Sequence, residues 1–275
     1  MIERLEAAFS AIGLRGWLHA VDLDSGREIG LRPDEPVVLA SVFKVALVTA
    51  LHRSGLDLTQ RVEIGPRSPG ATGVAAMLDP VVLSLRDLAY LAIAVSDNAA
   101  ADVLFDAVGS IDLRELGLVR TRIPHRCRDI AAALVADAGT EDVQAWLEAD
   151  PRRLSLLSVR DPARTNAGTP REMTRLLELL WTDRAADPDS CAAIRRLMRL
   201  QVWPHRLASG FPTDTVAGKT GTLPGVRNEI GVVERGDGRR FAVAVFTVSA
   251  SPAAALPQAD RVIGTAARIA VDALT

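Results

Sequence analysis

Apolar residues near the amino terminus recur first at helical and then at strand spacing. Leu5, Phe9 and Ile12 lie four and three residues apart, which predicts an amphipathic helix over residues 3–12. Two strands are predicted next, over 17–23 and 28–31, joined by a turn at 24–26. Residues 37–51 are then almost wholly apolar, and their length favours a central helix over a strand. Any polar residue in that segment is informative because its neighbours are typical of a core.

The middle of the chain is predicted to be helical. A Gly- and Pro-rich connection at 65–73 precedes six segments with helical periodicity, at 84–95, 99–108, 130–136, 141–147, 171–181 and 190–200. Ser84, Asp142 and Pro170 suit helix starts, because capping oxygens satisfy free N–H groups and proline lacks one. These segments predict an all-helical domain.

The carboxyl-terminal part returns to strand spacing. Strands are predicted at 213–222, 228–234 and 240–249, followed by an amphipathic helix at 257–274. The predicted fold class is α/β plus α: an antiparallel sheet built from both chain ends, flanked by the terminal helices, with an all-helical domain inserted between them. The predicted sheet domain comprises 1–42 and 207–275, the helical domain comprises 43–206, and the active site lies between them.

Composition narrows the class of protein further. The chain has 275 residues, 48% of them hydrophobic, and a net charge of −2, which is typical of a globular protein with a large core. Its basic residues are scattered among acids, so we expect no nucleic-acid partner. No stretch approaches the ~20 apolar residues of a membrane span, so we expect no membrane partner. Residues 1–11 lack a signal-peptide pattern, which predicts a cytoplasmic location for a full-length chain and a secreted or periplasmic one for a processed or truncated chain.

Metal and cofactor chemistry have no candidate residues in the sequence. Cys127 and Cys191 lack C-x-x-C partners and are interpreted as ordinary thiols. Four histidines occur singly, without an H-E-x-x-H pattern, at His19, His52, His125 and His205. We therefore expect no metal and no cofactor.

Lysine is the rare residue that points to chemistry. Only Lys44 and Lys219 are lysines among 32 basic residues, and lysine differs from arginine in its ability to lose a proton. Ser41 precedes Lys44 by three residues in the apolar segment, so both side chains share one helix face. Desolvation there favours a neutral amine, which can accept the proton of a serine. The alternative is a lysine that extends to the surface past a capping serine, or codon bias with two chance survivors.

Two further motifs accompany this pair. Ser96, Asp97 and Asn98 separate two predicted helices, where a helix cap is the simplest interpretation. The segment 219–222 opens a predicted edge strand, where glycine lets a ligand lie close and hydroxyls can bind a carboxylate. A phosphate loop is excluded because Thr213 occupies the position of its first glycine.

S-x-x-K, S-D-N and K-T-G in this order resemble the motif set of class A β-lactamases and penicillin-binding proteins. The segments L-A-S-V-F-K-V-A-L, L-A-Y-L-A-I-A-V-S-D-N-A-A-A-D-V-L, T-P-R-E-M-T-R-L-L and A-G-K-T-G-T are each similar to segments of that family. The likeness covers most of the chain. It implies the class A β-lactamase fold, in agreement with the sheet and helical insert predicted above.

The resemblance also implies roles for the reacting groups. Ser41 would attack a carbonyl and Lys44 would take its proton. The N–H groups of Ser41 and Thr222 would form the oxyanion hole. Ser96, with Lys219 nearby, would relay a proton to the departing nitrogen.

The remaining implied roles concern substrate binding. Asn98 would hold Lys44 and the amide of the substrate. Thr220, Gly221 and Thr222 would bind the substrate along the strand, the two hydroxyls taking its carboxylate. Arg227, eight residues after Lys219, would pair with the same carboxylate.

The sequence departs from the family at the deacylation step. The family's deacylating glutamate lies in an E-x-x-L-N stretch, which has no match between Asn98 and Pro170. A longer, helix-containing insertion at 129–160 takes its place. One alternative is that Lys44 acts again as the base in the second step. The other is an acid, with Asp161 the first candidate and Glu148 the second, although surface acids are the simpler interpretation of both.

These observations predict a serine acyl hydrolase that forms an acyl-enzyme at Ser41 with a β-lactam or a related amide or ester bearing a carboxylate. Deacylation is expected to be slow. The alternatives are a penicillin-binding sensor or trap that is acylated without turnover, and a D-alanyl-D-alanine peptidase or esterase. The expected partner is a small-molecule substrate, and the chain is expected to be a monomer.

Overall fold

The computed structural model describes residues 1–65 and 73–275. Nine helices of the described residues run in chain order: α1 (Ile2–Ser10), α2 (Phe43–Arg53), α3 (Leu85–Tyr90), α4 (Asn98–Val108), α5 (Cys127–Ala138), α6 (Val143–Ala149), α7 (Pro170–Trp181), α8 (Pro188–Arg199) and α9 (Pro257–Leu274). The described strands are β1 (Leu14–Asp22), β2 (Glu28–Leu31), β3 (Val37–Val38), β4 (Arg61–Ile64), β5 (Val81–Ser84), β6 (Ala167–Gly168), β7 (Thr215–Leu223), β8 (Val226–Glu234) and β9 (Arg240–Ser249).

The main sheet draws its strands from both ends of the chain. Its order is β2-β1-β9-β8-β7, and every neighbouring pair is antiparallel. Helices α1 and α9 cover one face of the sheet. Phe9, Ile263 and two valines of β9, Val243 and Val245, are buried between these helices and the sheet. The other face packs against α7 and α8 in the larger core. The predicted fold class is confirmed, while the exact domain limits stay a prediction.

The helix predicted over 37–51 is confirmed from Phe43 onward, in α2, and is wrong for the residues before it. Residues 37–38 form the short strand β3 paired with β6, and Leu39 N–H donates to Asn166 O. Ala40 has φ 47°, a left-handed conformation that an alanine adopts only when its surroundings hold it there. A tight turn over Ala40–Val42 then leads into α2. Long-range pairing therefore overrides the apolar pattern and brings Ser41 to the start of a helix.

Two other predictions require correction. The segment 84–95 is not one regular helix, because Leu91–Val95 forms a π-helical turn that ends at a left-handed Ser96, φ 67°. Lys219 and its neighbours lie in the second half of β7 and do not open it. Of the predicted connection at 65–73, residues 66–72 lie outside the described residues.

His19 joins the sheet to helix α7 in its neutral form. The Thr174 hydroxyl donates to Arg171 O (2.9 Å), so it accepts from Nδ1 of His19 (2.6 Å). Nε2 of His19 accordingly accepts from Arg171 Nη1 at 3.1 Å, with Glu28 at 3.4 Å and Asp34 nearby. Burial, reinforced by the Arg171 charge, lowers the pKa of His19 from 6.5 to about 4. At pH 5 His19 is therefore protonated in the unfolded chain and mostly neutral in the folded chain.

We expect the free energy of unfolding to fall between pH 6.5 and pH 4 by about 3 kcal/mol through His19 alone, since one pKa unit corresponds to ~1.4 kcal/mol. The contribution is complete above pH 6.5 and lost as pH falls through the folded-state pKa. Urea unfolding of the wild type and of His19→Gln at both pH values separates the contribution of His19 from that of the titrating carboxylates. Equal losses in the two proteins would show that His19 does not carry the effect.

Candidate active site

Ser41 lies at the amino terminus of α2, held there by contacts from distant strands. The Asn228 side chain donates through Nδ2 to Val38 O at 2.8 Å and to Leu39 O at 3.4 Å. These bonds fix the left-handed Ala40 that precedes Ser41. The Ser41 side chain is half-buried, and its N–H belongs to the first turn of the helical segment, whose amides have no partner within the helix.

Lys44 is fully buried one turn further along. Its Nζ donates to Ser96 O (2.7 Å), Asn98 Oδ1 (2.8 Å) and Asp97 O (3.3 Å). Burial lowers the pKa of Lys44, against the raising effects of Cys127, Asp97 and Asp102. The structure thus brings Lys44 and Asn98 together, and it supplies an amine that gives up its proton more readily than an exposed lysine.

Ser96 is presented by the chain reversal between the π-helical turn and α4. Asp97 caps α4 by accepting from the N–H groups of Ala99 and Ala100, and it also accepts from Val74 N. The predicted helix cap is confirmed at Asp97. Because Asp97 provides the cap, the side chain of the neighbouring Ser96 does not cap the helix. Ser96 Oγ accepts from Lys219 Nζ at 2.8 Å.

Lys219 approaches from the edge strand β7. It is fully buried and donates a second hydrogen bond to Thr220 O at 2.8 Å. Burial, followed by the charges of Lys44 and Arg206, lowers the pKa of Lys219 far below its usual value. Both lysines of the chain therefore converge on the Ser96 loop from opposite sides.

A cavity of about 360 Å³ lies in front of these groups. Its lining is rich in hydroxyls and positive charge and includes Ser41, Ser96, Trp203, His205, Arg206, Thr220, Thr222 and Arg227. Gly221 faces the turn that carries Ser41, since a Cβ there would lie 2.7 Å from Leu39 O. Glycine is required at this position because the edge strand approaches the reactive turn so closely.

The outer edge of β7 offers a backbone donor to this cavity. Thr220 N–H donates to Gln201 Oε1 at 2.7 Å, so it faces away from β8. Alternate residues of an antiparallel strand point their N–H groups the same way, so the Thr222 N–H also faces the open edge. This orientation is the one that an oxyanion donor at Thr222 needs.

Arg227 lines the cavity, but its guanidinium is hydrogen-bonded to backbone oxygens. It donates to Leu223 O (3.1 Å), Val226 O (2.9 Å) and Ala254 O (2.6 Å). A second arginine, Arg206, also lines the cavity, and its Nη2 donates to Thr222 Oγ1 at 2.7 Å. Arg206 also forms an ion pair with Asp260 at 2.7 Å. It lies in a segment without periodicity, so no sequence pattern pointed to it.

Cys127 is the other residue that the sequence analysis missed. It begins α5 with its backbone N–H donating to Asp102 at 2.6 Å, and its thiol lies near enough to Lys44 for each group to act on the other's pKa. Burial raises the pKa of Cys127 to about 11, so the thiol is neutral at pH 7. The acids considered for deacylation lie elsewhere: Glu148 is exposed and accepts from Gln144, and Asp161 is exposed at a turn.

Two negative findings hold for residues 1–65 and 73–275. No helix among them is both long and apolar enough to cross a bilayer. The same residues contain no group of three or more His, Cys, Asp or Glu side chains able to hold a metal ion.

The fold is that of the class A β-lactamase-like serine enzymes. The chain belongs to the β-lactamase enzyme family, which it matches over residues 1–274. It is 34% identical to the β-lactamase regulatory protein BlaB of Streptomyces cacaoi, over 98% of this chain and 95% of that protein. A β-lactamase of Amycolatopsis lactamdurans is 30% identical, over 98% of this chain and 83% of the relative.

Solved structures show the same architecture. The β-lactamase from Sphaerobacter thermophilus superimposes with a TM-score of 0.78 at 26% identity, covering 97% of this chain and 95% of that structure. PBP-A gives a TM-score of 0.79 at 21% identity, covering 99% of this chain and 95% of that structure, a likeness of fold alone.

Proposed function

We propose that Ser41 is acylated by β-lactams, or by related amides and esters that carry a carboxylate. The carrying observation is the shared cavity, in which Ser41 and Ser96 face the same space while two buried lysines with lowered pKa values lie behind them. A nucleophilic serine needs a nearby base, and a lysine in this environment can act as one.

The chemistry follows from these positions. Lys44 accepts the Ser41 hydroxyl proton as Oγ bonds to the substrate carbonyl carbon, and the N–H groups of Ser41 and Thr222 stabilise the negative oxygen that forms. As the carbon–nitrogen bond breaks, the Ser96 hydroxyl protonates the departing nitrogen. Lys219 donates to Ser96 Oγ and orients it. The proton that Lys44 took from Ser41 then restores the Ser96 hydroxyl, so that Lys44 is again a neutral amine.

The carboxylate of the substrate is assigned to the strand side of the cavity. The hydroxyls of Thr220 and Thr222 lie there, and Arg206 adds a positive charge through its bond to Thr222. Arg227 contributes charge at longer range, because its donors are engaged by carbonyl groups.

Release of the acyl group is the weak step of this site. Two carboxylates, those of Asp97 and Asp102, raise the pKa of Lys44. Both accept hydrogen bonds from backbone N–H groups of α4 and α5. The third group that acts on Lys44 is the neutral Cys127 thiol, which cannot activate water at pH 7. This arrangement favours a second function, that of a penicillin-responsive sensor or trap. The similarity to a protein named as a β-lactamase regulator also supports a sensor function.

Hydrolysis of a chromogenic cephalosporin separates the hydrolase from the trap. A stoichiometric burst of one product per protein, followed by a slow steady rate, is the expected result. Many rapid turnovers without a burst would support an efficient hydrolase, and the absence of any burst or turnover would contradict acylation.

A carboxylate placed at residue 127 should speed release of the acyl group. We expect Cys127→Asp to deacylate faster than the size-matched Cys127→Asn, by up to the ~10²-fold that a positioned general base contributes. The measurement is the decay of the acyl-protein by mass spectrometry after excess penicillin is removed. If the two variants decay at the same rate, the thiol is not the reason for slow release.

A further inference from the structure

A second cavity, of about 440 Å³, lies beside the segment that precedes Ser41. Apolar side chains from three strands and from that segment form most of its wall: Trp17, Pro36, Val37, Val226, Phe246 and Val248. This size is within the range of ~300–1,000 Å³ typical of small-molecule sites. None of these residues belongs to the lining of the catalytic cavity described above.

Arg160 gives this apolar cavity a positive charge. Its Nη2 donates to Ser249 O at 2.8 Å, but its buried Nε has no hydrogen-bond partner among the described residues. No carboxylate of the described part of the chain forms an ion pair with it, and burial alone lowers its pKa. A partly buried guanidinium with an unpaired Nε and no counter-charge is stabilised by an anion.

The one acid in the lining does not supply the missing charge. Glu35 accepts from Arg15 at 3.0 Å and from the indole Nε1 of Trp17 at 2.7 Å. Arg15 also stacks over the Trp17 ring, 4.8 Å from its centre. Glu35 is therefore neutralised at the rim and holds the indole in place as an apolar wall.

We propose that this cavity binds a small carboxylic acid with an aromatic or branched apolar body, its carboxylate on Arg160 and its body against Trp17, Phe246 and Val248. This site is distinct from the acylation site, and the inference does not rest on acylation of Ser41.

Asn228 connects the two cavities. Asn228 lines the second cavity, and its side chain donates to Val38 O, three residues before Ser41. Its backbone carbonyl accepts from Arg206 at 2.8 Å. A ligand in the second cavity therefore contacts a residue that holds both the reactive turn and the arginine of the catalytic cavity.

Binding is tested by NMR on the full chain with naphthalene-2-carboxylate and its neutral amide. The protein has four tryptophans, and two report on the two cavities: Trp17 lines the second and Trp203 the catalytic one. We expect the acid to shift the Trp17 indole signal saturably without moving that of Trp203. Arg160→Gln should weaken binding by about tenfold or more, as loss of a charged hydrogen bond does, while Arg160→Lys retains most of it.

Exposed Arg164→Gln serves as the control for general loss of positive charge and should bind the acid normally. Three results would overturn the proposal: equal affinity for the acid and the amide, unchanged binding by the folded Arg160→Gln variant, or a shift confined to Trp203. The last of these would place the acid in the catalytic cavity.

Discussion

Replacing Ser41 by alanine is expected to abolish covalent labelling by β-lactams and leave the fold intact. The hydroxyl supplies the oxygen that bonds to the substrate. Ser41 lies one helical turn before buried Lys44, whereas the Ser96 hydroxyl is hydrogen-bonded to Lys219. The side chain is only half-buried, and alanine suits the start of a helix sterically, so the cost in stability is small. Fluorescent-penicillin labelling followed on gels measures the effect.

The control for this experiment is Ser155→Ala, an exposed serine outside the site, which should label like the wild type. Circular dichroism of both variants verifies the fold. A folded Ser41→Ala variant that still acquires the label, on Ser96 or any other residue, would show that Ser41 is not the nucleophile.

Replacing Lys44 by arginine is expected to slow acylation by ~10²- to 10⁴-fold, the usual contribution of a general base. Arginine keeps the charge but does not release its proton, so it cannot accept one from Ser41. Lys44→Met removes the amine without adding volume, and it should be impaired to a similar degree. Stopped-flow acylation at several pH values measures both variants.

The pH dependence tests the same role with a defined sign. Because the neutral amine is the base and burial lowers the pKa of Lys44, wild-type acylation should rise with pH and level off below the range in which an exposed lysine titrates. The variants should lack this rise. Substantial acylation by folded Lys44→Arg, with the wild-type pH profile, would exclude Lys44 as the base.

Local sequence patterns predicted the elements and motifs that depend on neighbours along the chain. The strand over Arg240–Ser249 and the helix over Pro257–Leu274 occur with the predicted bounds. The strand is a short apolar run buried between the two cores, and the helical periodicity of α9 matches burial against one of them. The two lysines stood out because they are the only lysines among 32 basic residues. The structure places both beside Ser96, with Lys44 on its carbonyl and Lys219 on its hydroxyl.

Features that depend on distant contacts could not be predicted in this way. The apolar run at 37–51 contains a strand and a left-handed Ala40 because β6 and Asn228 bind its backbone. Arg206 reaches the cavity only because β7 and β8 pass in front of it. Cys127 meets Lys44 because Asp102 anchors the start of α5. In each case the partner is separated by at least 15 residues, beyond the reach of local periodicity.

The most direct test of the proposed chemistry is the intact mass of the protein over time after it is mixed with benzylpenicillin. The β-lactam ring opens without losing a fragment, so acylation adds the whole mass of the drug. We expect one such adduct per chain, located by peptide mapping at Ser41 and persisting for many minutes after excess drug is removed. A protein that stays unmodified throughout and leaves the penicillin intact, at concentrations that label a known penicillin-binding protein, would contradict acylation at Ser41.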